Sequence, residues 1–332
     1  MNFDEGETTM TTATERTALV LGGTGFVGSH LLDRLVAEGW RVVVPTRRLQ
    51  NARDLKLLPT VEIVVADVHD PKTLERLCAG KCLVVNLVGT LHSRPGTPYG
   101  PEFARVHVEL PQKLAEACQA QDVHRLIHLS ALGAAPDAPS QYLRSKADGE
   151  ARIRAAGDGL DWTLLRPSAI FGPGDSFLNR FAALARLFPI LPIGAAQAKL
   201  QPVYVGDVVE VILRAAATAK AAGQTYELAG PTVYTLAEIV AYAARTSGHP
   251  RRVVALPPRL ARMQAWLLEH LLPNPPLTRD MLDSLSIDSV AHDEPLPFGL
   301  EPTPMEAIAP AYLANDTFRS RYVLWRMRAR HG

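Results

Sequence analysis

Thr17-Ala18-Leu19-Val20-Leu21-Gly22-Gly23-Thr24-Gly25-Phe26-Val27-Gly28 joins an apolar, β-branched run to three glycines spaced Gly22-x-x-Gly25-x-x-Gly28. The run predicts a buried strand over Thr17–Leu21, and the helical spacing after it predicts a helix over Val27–Ala37, stopped at Gly39. A strand, a glycine turn and a helix in that order meet three physical needs at once. The turn requires freedom in φ, the backbone must approach a diphosphate without a Cβ, and the helix must pack closely on the strand. The helix N-terminus then presents unpaired N–H groups and the positive end of its dipole to the phosphates. Gly22, Thr24, Gly25, Phe26, Val27 and Gly28 are therefore expected around a bound dinucleotide.

Further along, short apolar runs alternate with helical segments. Strands are predicted at Arg41–Pro45, Val61–Ala66, Leu83–Leu87, Leu126–Leu129 and Trp162–Leu165, with helices at Pro71–Cys78, Glu102–Gln119 and Ser140–Ala156. None of the strands shows a solvent face, which is the pattern of a parallel sheet covered on both sides. After Arg166 the order changes. Phe171-Gly172-Pro173-Gly174 and Leu191-Pro192-Ile193-Gly194 mark loops of a second lobe, and Val203–Val205 with Asp207–Ala217 reads as a last strand and helix returning to the main sheet. The expectation is an α/β fold. A doubly wound parallel Rossmann sheet spans residues 17–170 and is rejoined by 202–222, and a smaller, mainly helical C-terminal substrate lobe spans 171–201 and 223–318. Helices are expected there at Tyr234–Ser247 and Arg259–Leu272. Leu260, Met263, Trp266, Leu267 and His270 form an apolar stripe on the latter, read as packing on its own lobe, with a membrane surface or a partner subunit as the alternative. Residues 1–16 and 319–332 read as tails, the second alternating Arg with apolar residues.

The second strand ends Val44-Pro45-Thr46-Arg47-Arg48, where an acidic residue would hold the ribose 2′-hydroxyl of NAD. Two guanidiniums there suit a 2′-phosphate, so Arg47 and Arg48 point to NADP(H); the plainer reading is a pair of solvated loop cations. Asp67-Val68 closes the third strand, where a carboxylate either meets the adenine amino group or caps the turn. Leu87-Val88-Gly89 closes the fourth and completes the wall of that crevice.

Tyr142 and Lys146 lie four apart on one helical face. An ammonium beside a phenol, together with an oxidised nicotinamide, favours the phenolate, so the pair is a candidate acid/base for a carbonyl or carbinol while the nicotinamide exchanges hydride. Lys146 is also expected on the ribose hydroxyls.

Together these residues resemble the extended short-chain dehydrogenase/reductases, the class of sugar-nucleotide epimerases and dehydratases. The likeness extends to Leu165-Arg166-Pro167-Ser168, where that class lines the nicotinamide end, and to Val203-Tyr204-Val205-Gly206-Asp207-Val208. Within the class, Tyr142 to Glu150, Phe171 to Asp175 with Phe177 to Arg180, Pro276 to Asp280 and Pro302 to Ala307 are similar to bacterial relatives of the nucleotide-binding accessory subunit of respiratory complex I. The resemblance implies an NADP(H)-dependent oxidoreductase, epimerase or dehydratase acting through Tyr142 and Lys146 on a small molecule. It equally admits a non-catalytic NADP(H)-binding module, peripheral association with a membrane complex, and a homodimer. Two departures bear on catalysis. Leu132 stands where the class carries a carbonyl-polarising Ser or Thr, with Ser130 two residues early, and His107 stands where it carries Asn. Losing those groups lowers transition-state stabilisation more than coenzyme binding. His107 is either a substitute proton relay or, by ordinary burial habits, a core histidine.

Composition excludes other classes. The 332 residues are 47% hydrophobic and 21% charged, the range of globular proteins. Thirty-five basic against 34 acidic residues leave a net charge of +1, too little to gather nucleic acid. Cys78, Cys82 and Cys118 are too few and odd for a disulfide framework, and Met1–Arg16 has no apolar signal core, so a cytoplasmic location is expected. Phe181–Ala196, the longest apolar stretch, is broken by Arg186, Pro189 and Pro192 and falls short of the ~20 residues that span a bilayer. Cys78-x-x-x-Cys82, read as buried, lacks partner ligands, and no metal is assigned. His124, His128 and His292 are isolated in the sequence.

Overall fold

A computed structural model describes residues 16–272, 275–292 and 296–314. The expected tail before Arg16 and the Arg-rich segment 319–332 lie outside the described residues. Seven strands form the main sheet: β1 (Thr17–Leu21), β2 (Arg41–Thr46), β3 (Val61–Val65), β4 (Leu83–Asn86), β5 (Arg125–Leu129), β6 (Asp161–Pro167) and β7 (Gln224–Leu228). Their order is β7-β6-β5-β4-β1-β2-β3, and every pairing is parallel. The expected doubly wound α/β architecture is therefore present.

Alternation along β1 shows why the central strands have no wet face, whereas the edge strand β3, expected to be covered on both sides, has Glu62 and Val65 exposed. Ala18 and Val20 pack with Leu31, Leu32 and Leu35 of the helix Phe26–Ala37 and with Val208, Val211 and Ile212 of the helix Val205–Ala217. Leu19 and Leu21 face the other way, onto Leu74, Leu114, Cys118 and Ile153. The winding reverses between β1 and β4, the place where a parallel sheet opens a crevice at its C-terminal edge.

Three elements differ from expectation. Val203–Tyr204 pairs with Ile170–Phe171 in a separate two-stranded sheet, while the edge strand β7 comes from Gln224–Leu228, a segment expected in the smaller lobe. Only Leu228 of β7 is fully buried, so the strand carries no continuous apolar run. The expected helix over Glu102–Gln119 is interrupted by a π turn at Ala104–Glu109, between Pro101–Phe103 and Leu110–Ala120. Pro111 explains it, having no N–H to offer the carbonyl of His107 four residues back. That carbonyl lies against Gly149, where a Cβ would come within 1.9 Å of it.

The smaller core gathers Phe171, Leu178, Leu191, Leu236, Ile239, Met305 and Tyr312. Asp175, buried in the loop after Phe171, accepts from the Gly172 and Asn179 amides and from the Tyr312 hydroxyl at 2.6 Å. Asp207 accepts from the amide and hydroxyl of Thr303, which fastens Pro302-Thr303-Pro304 to the returning helix.

Candidate dinucleotide and proton-transfer site

The glycines divide the labour expected of them. Gly22 has φ +79°, and a Cβ there would press on the Leu87 carbonyl carbon and the Val88 nitrogen at 3.0 and 3.1 Å. Gly28 is the packing glycine: a Cβ would meet the Gly22 oxygen at 2.4 Å and the Gly23 Cα at 2.6 Å. Gly25 is the exposed N-cap, and no side chain caps the amides of the first turn. A backbone cradle that a Cβ would fill, opening onto uncapped amides, fits a diphosphate.

Arg47 and Arg48 stand exposed at the tip of β2, and neither guanidinium makes a hydrogen bond or ion pair among the described residues. Asp67 acts mainly as a turn cap. Its Oδ1 accepts from the His69 amide at 3.0 Å, and Oδ2 lies 3.7 Å from Arg105 Nη2. Val68 and Val88 pack at the edge of the core behind it.

Tyr142 and Lys146 lie on the helix Gln141–Arg154, whose first turn is capped by Ser140 Oγ on the Leu143 amide. Lys146 is buried, and its Nζ donates to the Leu129 carbonyl at the end of β5 at 2.8 Å. A methyl group at Gly89 would sit 3.8 Å from both Lys146 Nζ and His107 Nε2, so the ends of β4 and β5 meet this helix. Burial lowers the Lys146 pKa to about 8, opposed by Glu150, and pushes the Tyr142 phenol up to about 12. The sign at Tyr142 is opposite to the one expected from the lysine. Desolvation of the phenolate is its cause, so without coenzyme the group is a protonated acid.

His107 resolves into a positioning group. Its Nε2 accepts from the Thr90 amide at 3.1 Å, so Nδ1 carries the proton and donates to Ser145 Oγ at 2.8 Å. Ser145 in turn donates to the Tyr142 carbonyl. The ring stacks on Phe103 and meets Tyr142 edge-on with centroids 5.4 Å apart. Burial holds its pKa well below the usual value, so the imidazole is neutral.

Several expected site residues also make contacts within the fold. Arg166 grips the fully buried Glu150 through Nε at 2.8 Å and Nη2 at 2.6 Å, joined by Arg154 at 2.9 Å. Pro167 gives its carbonyl to the Leu132 amide, and Ser168 Oγ bonds the carbonyl and hydroxyl of Ser289. Leu132 is buried, and the Ser130 hydroxyl is buried with no partner among the described residues. Cys82 is exposed, contrary to expectation, and the thiol partner of Cys78 is Cys118. Among the described residues, no group of three or more His, Cys, Asp or Glu could hold a metal.

Other site residues are not legible in the sequence. Asp280 accepts from the Gln141 amide at 2.7 Å and from the Tyr142 amide at 3.1 Å, across separations of 139 and 138 residues. His128, isolated in the sequence, is fully buried beside Asn86: Asn86 Oδ1 takes the Val88 amide, so its Nδ2 donates to His128 Nδ1 at 3.1 Å. His292 meets Glu227 at 3.2 Å.

A glycine cradle at the switch point, with a tyrosine and a buried lysine at the end of the neighbouring strands, defines a site of the short-chain dehydrogenase/reductase class. The chain belongs to the NAD dependent epimerase/dehydratase family, whose model matches residues 18–229. It is 31% identical over 314 residues to the NADH-ubiquinone oxidoreductase 40 kDa subunit, mitochondrial, of Neurospora crassa, across 93% of this chain and 81% of that one. It is 32% identical over 251 residues to a ceramide reductase of Caulobacter vibrioides, across 75% and 76%. Among solved structures it is similar in fold to the epimerase Mth375 of Methanothermobacter thermautotrophicus, with a TM-score of 0.69, 19% identity and 95% of each chain covered. Both expected resemblances, to the extended class and to the complex I subunit, hold.

Proposed function

We propose that the protein is an NADP(H)-dependent reductase in which Tyr142 delivers the proton to a substrate carbonyl. The placement of the pair carries this reading: Tyr142 and Lys146 share one helix, Lys146 is fixed on the Leu129 carbonyl at the end of β5, and a phenol is protonated at neutral pH, as carbonyl reduction requires. The coenzyme supplies hydride when bound. The chain's own residues do the rest. Gly22, Gly25 and Gly28 admit the diphosphate, Arg47 and Arg48 take the 2′-phosphate, and Lys146, fixed by the Leu129 carbonyl, holds the ribose hydroxyls. His107 and Ser145 set the Tyr142 backbone in place. The relative named ceramide reductase supports an apolar carbonyl substrate. In assays of the purified chain with long-chain ketones, the expectation is coenzyme oxidation that Tyr142→Phe abolishes while coenzyme affinity is unchanged.

A second reading follows from Leu132 and the buried Ser130 hydroxyl, which leave no Ser or Thr to polarise a carbonyl. On this reading the protein is a coenzyme-binding module that associates with a membrane complex, in keeping with the mitochondrial relative. Coenzyme binding without turnover of any carbonyl, and full cellular complementation by Tyr142→Phe, select it over the first.

A further inference from the structure

The helix Pro258–Leu271 is amphipathic the wrong way round for packing on its own lobe. Its buried residues are the small Ala261 and Ala265, which sit with Leu282 and against Gly194. Leu260, Met263, Trp266, Leu267 and Leu271 are 47 to 67% exposed, and their spacing puts them on one face. This corrects the expectation that the stripe is internal. A patch of this kind on a monomer marks a contact with something else.

The charges around it choose the partner. Arg259 is exposed at the start of the helix and Arg252 in the strand before it, while the neighbouring Arg262 is exposed but paired with Asp283. The helix's acid, Glu269, is turned away and holds the Arg279 amide and Nε at 2.6 and 2.8 Å. The acids nearest the face, Glu269 and Asp283, already hold Arg279 and Arg262, so a second copy would offer Arg259 no free carboxylate from these two helices. Residues 319–332 carry Arg319, Arg321, Arg326, Arg328 and Arg330, so they also meet the face with like charge. Apolar side chains centred on a tryptophan and flanked by arginines match the boundary between acyl chains and anionic headgroups.

We propose that this face docks on a bilayer surface bearing anionic headgroups. The helix Arg279–Ser284 lies between the docking helix and the proton-transfer helix. It is bound to the first through Arg262–Asp283 at 2.6 Å and Arg279–Glu269 at 2.8 Å, and to the second through Asp280. Pro275 and Pro276 are held as well, by His92 Nε2 to the Pro275 carbonyl at 2.9 Å and by Arg180 to the Pro276 carbonyl at 3.0 Å. The docking helix is thus linked through Arg279–Ser284 to the helix that carries Tyr142.

The test is sedimentation of the full chain with vesicles of phosphatidylcholine alone and of phosphatidylcholine with phosphatidylglycerol. The wild type is expected to bind the anionic vesicles, less so as salt rises, with a blue shift in tryptophan emission that Trp266→Phe removes. Met263→Glu with Leu267→Glu, two exposed positions, should weaken binding by about tenfold or more with coenzyme affinity unchanged. Failure of the wild type to bind either vesicle, wild-type binding by the double variant, or a lipid-free dimer that the same variant dissolves would each overturn the proposal.

Discussion

At Tyr142, His107, His128 and Lys146, burial outweighs neighbouring charge, and it sets what each group does with pH. His107 and His128 are neutral in the folded chain because desolvation lowers both pKa values well below 6.5, while in the unfolded chain they protonate near 6.5. The unfolded state therefore binds more protons below pH 6.5, and stability present above that pH is lost as the medium is acidified. Each contributes a slope of up to about 1.4 kcal/mol per pH unit. Denaturant unfolding between pH 7 and 5 should show that loss, and His107→Asn should flatten the curve by one proton. Lys146 bears on function in the opposite direction of pH. Its pKa of about 8 means the ammonium is lost on mild alkalinisation, so kcat/KM for reduction should be level below about 8 and fall above it. A profile level up to pH 10 would remove Lys146 from the reaction.

The proton-transfer helix is held at both ends by groups that can be removed singly. Asp280 occupies the amides of Gln141 and Tyr142, and Asp280→Ala should cost about 1 kcal/mol and lower kcat with coenzyme affinity intact, read by unfolding and by a kcat against Kd comparison. Glu150 compensates Arg166 and Arg154 where the helix packs on β6; Glu150→Ala leaves the half-buried Arg166 without its counterion and should destabilise by about 3 kcal/mol or more. The sequence makes β1 to β6 legible because each is a local apolar run. It hides β7 because Gln224-Thr225-Tyr226-Glu227-Leu228 is half polar at a sheet edge, and the π turn because Pro111 has the look of an ordinary residue in a continuing helix. The Arg166–Glu150 pair is hidden for a related reason: position in a strand does not say which way a guanidinium turns, and its partner lies on another element.

Over the whole molecule, the glycine cradle is local chemistry and is readable from twelve consecutive residues of one segment, Thr17 to Gly28. The candidate proton-transfer site is not local. Leu129, Asp280 and His107, the last held by Thr90, come from four other segments to the helix of Tyr142, Ser145 and Lys146, and periodicity carries no trace of those meetings. The helix Pro258–Leu271 shows the same limit: an apolar stripe is visible in sequence, but only burial tells that its small residues face inward. The measurement that reaches the centre of this account is calorimetric titration of the full chain with NADPH and NADH, beside Arg47→Ser with Arg48→Ser. NADPH should bind tighter by about tenfold or more, and the double variant should bring the two coenzymes together. No heat with either coenzyme, or equal affinity for both in the wild type, would contradict it.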